Sequence, residues 1–261
     1  MEFPDILYTK SNAIASVQFD RPETRNAFTL DMVESLSQAL HDARSDPQIK
    51  VIILSGRGDA FCSGGNVKDM ADGKLASWDM KRFLWDHVQH LTLLLRDIDK
   101  PILAAIDGPA HGGGFDLALA CDLRIATERA TFCATYIRIG LAPGNGSGYF
   151  LPRYIGTSRA LDILLTGRIV SMEEALDLGL VQTIVPTGQL RDEAFHFAGK
   201  MTRWSLESLR AVKRAVYHGL HSNLRGHLDY MSSQLGLLTQ TAEHREAVEK
   251  FKNKGEKHGP A

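Results

Sequence analysis

What most constrains this chain is an alternation in its first 185 residues. Short apolar runs of strand length are followed by glycine-bearing turns and then by stretches of helical period. Residues 13–19 alternate with a period near two, as a half-buried strand does, and 49–54 (IKVIIL) and 101–106 (PILAAI) are apolar runs of strand length. Weaker strand signals lie at 123–126 and 181–185. Between the first two runs, Leu30, Val33, Leu36, Leu40 and Ala43 share one helical face, with Thr29 placed to cap it. Between the next two, Met80, Leu84, Val88, Leu91, Leu95 and Ile98 recur at steps of three and four and predict a helix over 78–98. Residues 112–120 predict a helix that opens in a glycine run. Further helices are expected at 157–166, 171–178 (Ser171 and Glu174 forming a capping box), 190–201, 205–221 and 224–251. Strand–helix–strand alternation argues an α/β core, here residues 1–195, with residues 196–261 as a helical C-terminal extension of the same domain.

Composition narrows the class. The 261 residues are 44% hydrophobic and 23% charged, which suits a globular chain. Lys and Arg number 30 against 31 Asp and Glu, a balance that argues against broad nucleic-acid or polybasic membrane binding. No apolar run reaches the ~18 residues of a membrane span, and the N-terminus has neither a signal-peptide nor a transit-peptide pattern. Three cysteines make no disulfide framework and fit a reducing compartment. The expectation is a cytoplasmic protein without nucleic-acid or membrane partners. Its basic tail, 250–261, reads as a frayed end.

Several glycine motifs are excluded by their spacing. Gly73-Lys74 and Gly199-Lys200 are out of frame for a phosphate-binding P-loop, and Gly56-Arg57-Gly58 lacks the third glycine of a dinucleotide fingerprint. His111-Gly112-Gly113-Gly114 is like the oxyanion loop of lipases, but no serine sits in a GxSxG elbow. HExxH and CxxC are absent, so no metal is expected. Arg57-Gly58-Asp59 and Asn145-Gly146-Ser147 spell an adhesion tripeptide and a glycosylation sequon, both meaningful only outside the cell.

Two glycine turns remain, each following a strand: Phe61-Cys62-Ser63-Gly64-Gly65 after 49–54, and His111-Gly112-Gly113-Gly114 after 101–106. Glycine lets backbone approach a ligand closely. Where the second turn opens a helix, its first N–H groups lack intrahelical partners and carry the positive dipole end. Two such donors aimed at one oxygen make an oxyanion hole, able to hold the enolate of an activated acyl group. Asp116 lies one helical turn into that helix.

These residues resemble the enoyl-CoA hydratase/isomerase (crotonase) superfamily. The likeness runs through Arg21-Pro22-Glu23, Asn26-Ala27, IKVIILSGRGDAFCSGGN, KPILAAIDGPAHGGG, IGLAPGNGSGYFLPRYIG, LLTGR and ALDLGLVQTIV, nearly the whole chain. The resemblance implies a spiral of ββα turns with C-terminal helices, assembled as a homotrimer or a dimer of trimers. It implies an acyl-CoA thioester as substrate, with coenzyme A part of that substrate and no separate cofactor. It implies that the oxyanion donors are the N–H groups of Gly65 and Gly113. The CoA would lie along Arg25, Ala27, Ser63, Gly64, Asn66, Val67 and Lys68, with Gly112 and Gly140 also lining the substrate. Phe83 and Trp85 would stand beside the acyl group.

The expected catalytic pair departs from the family pattern. Members that hydrate enoyl-CoA carry two glutamates; the matching positions here are Asp116 and Tyr136. Aspartate is one methylene shorter, which sets its carboxylate back by ~1.5 Å. A tyrosine with an ordinary pKa near 10 is no resting carboxylate base at neutral pH. Some isomerases and ring-forming relatives carry a further aspartate near the position of Gly144; here Pro143-Gly144-Asn145 supplies none. The resemblance therefore implies an enoyl-CoA hydratase or isomerase in which Asp116 transfers the proton and Tyr136 orients water or substrate. A CoA thioester hydrolase, a decarboxylase, a carbon–carbon lyase and a non-catalytic acyl-CoA binder are the alternatives on the same fold.

Overall fold

The computed structural model describes residues 3–65, 81–82 and 84–256. They form two compact units, the first ending at Thr202 and the second beginning at Arg203.

The first unit is built on a six-stranded sheet: β1 (Ile6–Ser11), β2 (Ile14–Phe19), β3 (Val51–Gly56), β4 (Ile102–Ile106), β6 (Leu123–Thr127) and β9 (Thr183–Val185), side by side in that order. β1 and β2 are an antiparallel hairpin; every later neighbour is parallel, with Ile52 opposite Ile102 and Leu103 opposite Leu123. Strand β3 is buried on both faces, which is why it reads as an unbroken apolar run. Ile52 and Leu54 face the larger core with α1 (Leu30–Ser45) and α2 (His90–Asp97). Val51 and Ile53 face Ala194 and Ala198 of α7 (Leu190–Thr202). A smaller sheet joins β5 (Pro109–His111), β7 (Thr131–Cys133) and β8 (Ile169–Ser171).

The expected Thr29 cap is present: its hydroxyl accepts from Met32 N at 3.1 Å. At the other end of α1, the buried Lys100 ammonium donates to the carbonyls of Ala43 and Asp46, 2.7 and 2.6 Å away. A cation there satisfies orphan carbonyls and suits the negative end of the helix dipole.

Three helical expectations change. Residues 78–80 lie outside the described residues, and the described part of the 78–98 helix is not one regular helix: a π-helical turn, Leu84–Gln89, runs into α2. Helix α4 (Ser147–Ile155) was not expected, because Pro152 interrupts its pattern, and it is followed by α5 (Thr157–Thr166). The single helix expected over 224–251 is two, α9 (Leu224–Leu238) and α10 (Ala242–Glu256), because Thr241 starts a new one by accepting from His244 N at 3.2 Å. Around α6 (Met172–Asp177), Ser171 caps Glu174 N as expected, but the Glu174 carboxylate is held by the Arg168 guanidinium at 2.6 and 2.7 Å. The second unit holds α8 (Leu206–Gly219), α9 and α10. No helix among the described residues is long and apolar enough to cross a membrane.

Candidate active site

Because β3 and β4 run parallel, the turns that leave them emerge at the same edge of the sheet. Backbone hydrogen bonds then stitch the two glycine turns together. Cys62 N donates to Pro109 O at 3.2 Å, and His111 N to Cys62 O at 2.9 Å. The segment between β2 and α1 joins from the other side: Phe28 N donates to Gly64 O at 2.8 Å and Ser63 N to Arg25 O at 3.0 Å. The fit leaves no room for side chains. At Gly64, with φ +90°, a Cβ would stand 2.9 Å from both Gly113 N and His111 O, and at Gly114 one would overlap the Cys62 carbonyl oxygen. Glycine at these points is the condition for the turns to touch.

The second turn opens α3 (Gly113–Ala120), a helix buried on every side. The buried Arg124 guanidinium meets its C-terminal carbonyls, donating to Ala118 O at 3.2 Å and Cys121 O at 2.8 Å. Phe115 stacks on Phe132 with ring centres 4.6 Å apart. These contacts fix the one charged side chain of α3, Asp116, which is fully buried.

Both carboxylate oxygens of Asp116 are engaged. Tyr136, on the 3-10 turn Thr135–Ile139, donates its hydroxyl to Oδ2. Ser147 N donates to Oδ1 at 2.7 Å. Ser147 is the first residue of α4, so the positive end of a second helix also points at this carboxylate. Burial pushes the Asp116 carboxyl above its ordinary range, while the hydrogen bonds from Tyr136, Ser147 and Asn145 pull the other way. Tyr136 moves further up from the usual phenol value, driven first by burial and then by the adjacent Asp116 charge. It therefore stays a neutral donor. An aspartate kept buried with its charge held by polar hydrogens is suited to take up and release a proton.

The other expected residues are placed unevenly. Ala27 is buried beside Phe28, and Gly112 is the residue before α3. Arg25 is exposed, in the left-handed region, and offers its carbonyl to the first turn. Ser63 donates its hydroxyl to Thr24 O at 3.3 Å. Gly65 forms a parallel bridge with Phe28. Trp85 lies on the π-helical turn and is 64% exposed, and Gly140 is exposed at the end of the 3-10 turn. Asn66, Val67, Lys68 and Phe83 lie outside the described residues. His111 bonds Thr131 Oγ1 at 3.0 Å, and burial, helped by Arg138 and Arg25, lowers its pKa to about 4. It is neutral at pH 7. Cys62, Cys121 and Cys133 are buried thiols, and burial pushes Cys62 up to about 12, far from a reactive thiolate.

The sequence marks neither Phe28 nor Ser147 for the site, and Asn145 only as a residue that can hydrogen-bond but not take a proton. Phe28 is against Gly113, where an added Cβ would lie 2.7 Å from its ring. The usable signal for the other two was a glycine-flanked loop running into a helix, masked by Pro152.

The fold is that of the crotonase class of enzymes. The sequence matches the enoyl-CoA hydratase/isomerase family over residues 9–259. It is 34% identical over 258 residues to a probable enoyl-CoA hydratase of Rhodobacter capsulatus, covering 99% of this chain and 98% of that protein. The structure is similar to an enoyl-CoA hydratase of Bacillus anthracis (TM-score 0.91, 29% identity, 96% of each chain). It is also similar to a probable enoyl-CoA hydratase/isomerase of Mycobacterium abscessus (TM-score 0.86, 35% identity, 96% of each chain). The chain belongs to the enoyl-CoA hydratase/isomerase family and is an acyl-CoA-processing enzyme.

Proposed function

We propose that the enzyme hydrates or isomerises an enoyl-CoA, holding the thioester oxygen between the N–H groups of Gly65 and Gly113 while Asp116 carries the proton. The observation that carries this reading is the buried Asp116 carboxylate, bonded by Tyr136 and Ser147, one turn into the helix that Gly113 opens. Two backbone donors would meet the charge that develops on the thioester oxygen, a contribution of ~2.7–4 kcal/mol per donor in enzymes of this kind of chemistry. Asp116 serves as the proton carrier, and the Tyr136 hydroxyl favours its charged form by donating to it. A single base moves a proton from one carbon to another without help. Addition of water asks more, since the water must also be oriented.

Exposed Leu224, Leu228 and Leu235 on α9 support association of copies, in line with the expected trimer or dimer of trimers. Three cysteines kept as thiols support a cytoplasmic location.

The test is Asp116→Asn assayed on crotonyl-CoA by loss of the conjugated enoyl-thioester absorbance. Turnover is expected to fall at least ~100-fold, the lower end of general acid–base effects. Near-normal turnover removes Asp116 from the mechanism, and release of free CoA by the unaltered enzyme assigns it to hydrolysis instead.

A further inference from the structure

Asn145 lies between the groups that carry the chemistry, yet nothing above uses its side chain. Its neighbours hold it from several directions. Thr92 Oγ1 on α2 donates to its carbonyl at 3.1 Å, and Gln89 Nε2 on the π-helical turn donates to Gly144 O at 2.7 Å. Its backbone N–H favours the charged form of Asp116, and its side chain acts on Tyr136 in the same downward direction. Its Nδ2 lies 3.5 Å from where a Cβ on Gly113 would stand, so the amide sits against the proposed oxyanion donor. The residue is 9% exposed, and Oδ1 is buried with no hydrogen-bond partner among the described residues. A buried acceptor left unpaired is destabilising and calls for an occupant.

We propose that Asn145 Oδ1 holds the water that adds to the substrate, in partnership with Asp116. This rests on the reading of Asp116 as proton carrier. Water has two hydrogens. As its oxygen bonds to Cβ, the Cα–Cβ π pair moves toward the thioester oxygen and leaves an enolate. Asp116 takes one water hydrogen and then delivers a proton to Cα. The other hydrogen stays on the new hydroxyl and needs an acceptor throughout, which Asn145 Oδ1 supplies. Asp116 is thus the sole base, and the amide gives the second point of orientation without needing to ionise. A water fixed at two points adds to one face of the double bond; a water fixed at one point rotates. Removing or exchanging a proton at Cα needs Asp116 and the oxyanion donors but no such water.

The test compares two reactions of the full-length enzyme: hydration of crotonyl-CoA, and exchange of the Cα hydrogens of butyryl-CoA in deuterated water. In Asn145→Ala, hydration kcat is expected to fall by roughly 10²-fold, on the scale of losing one participant in proton transfer. Exchange is expected to fall much less, so the ratio of hydration to exchange drops at least about tenfold. Equal losses in both reactions, or hydration near normal, overturn the proposal. Asn145→Asp keeps an acceptor of the same shape. It is expected to hydrate faster than Asn145→Ala, with a second ionisation in its pH profile from the added carboxylate. If Asn145→Ala does not fold, an Asn145→Asp profile with a single unshifted ionisation overturns the proposal. An unaltered enzyme that neither exchanges nor hydrates refutes the underlying role of Asp116, whereas one that exchanges without hydrating refutes the role of Asn145 alone.

Discussion

The Tyr136 hydroxyl donates a hydrogen bond to Asp116 Oδ2, so the two positions at which the family resemblance implies paired glutamates are here a carboxylate and the neutral group that supports it. The pair has a definite pH signature. Burial raises the Asp116 pKa and the Tyr136 bond lowers it. Tyr136→Phe removes the lowering contribution alone, so the Asp116 pKa rises further. The limb of the rate profile that requires the carboxylate moves to higher pH, and turnover on that limb drops about tenfold, the equivalent of ~1.5 kcal/mol for a hydrogen bond to a charged group. A profile of kcat against pH on crotonyl-CoA checks this. A limb that stays in place, or moves to lower pH, shows that Tyr136 does not hold the Asp116 charge.

The same raised pKa makes Asp116 a cost to the fold. Its unfolded value is near 3.9 and its folded value is higher, so between the two the folded state binds more protons than the unfolded state. Stability falls as pH rises through that window, and the full penalty persists above it. Asparagine has the same shape without the charge: its carbonyl accepts from Ser147 N, and its amide donates to the Tyr136 oxygen. Asp116→Asn is therefore expected to be more stable than the unaltered enzyme at pH 7 by on the order of 1 kcal/mol, although inactive. The gain should shrink as pH falls to 4. Denaturant unfolding at the two pH values measures it, and a variant less stable at pH 7 refutes the idea that the carboxylate is held at a cost.

Much of this was legible in the sequence, and the parts that were not have physical reasons. Strand β3 and helix α1 announce themselves because burial on two faces or one face leaves a clear apolar pattern. Strand β1 does not: it is an edge strand in which only Ile6 is buried, so no alternation marks it. The glycine turns were visible as spacing, but their mutual contact was not, since it depends on the parallel register of β3 and β4. Asp116 and Tyr136 are 20 residues apart and meet only because the 3-10 turn after β7 folds back over α3. Asn26 was read as part of a motif near the start. In the fold it is a buried strut, with Nδ2 donating to Arg57 O at 3.0 Å and Ala60 O at 2.8 Å and Oδ1 accepting from Arg21 N at 2.9 Å. Its side chain ties the loop between β3 and the first turn to the segment before α1, a role no local pattern displays.

Two helical glycines separate close approach from mere flexibility. Alanine favours a helix over glycine by ~1 kcal/mol, so an unconstrained site gains by the exchange. Gly199 in α7 is exposed with nothing within 4 Å of an added Cβ, and Gly199→Ala is expected to stabilise by about that amount. Gly114 has the same helical setting, but there the Cβ overlaps the Cys62 carbonyl, a backbone atom that cannot swing away. Forcing a methyl into such a contact costs ~1–3 kcal/mol, which outweighs the helical gain. Relief comes only by parting the two turns, and that displaces the Gly113 N–H from its station near Gly64. Gly114→Ala should thus lose both stability and turnover, while Gly199→Ala gains stability and keeps turnover. Thermal melts and crotonyl-CoA assays of the two variants side by side decide it. A Gly114→Ala enzyme with normal turnover shows that the contact between the turns is dispensable for the reaction.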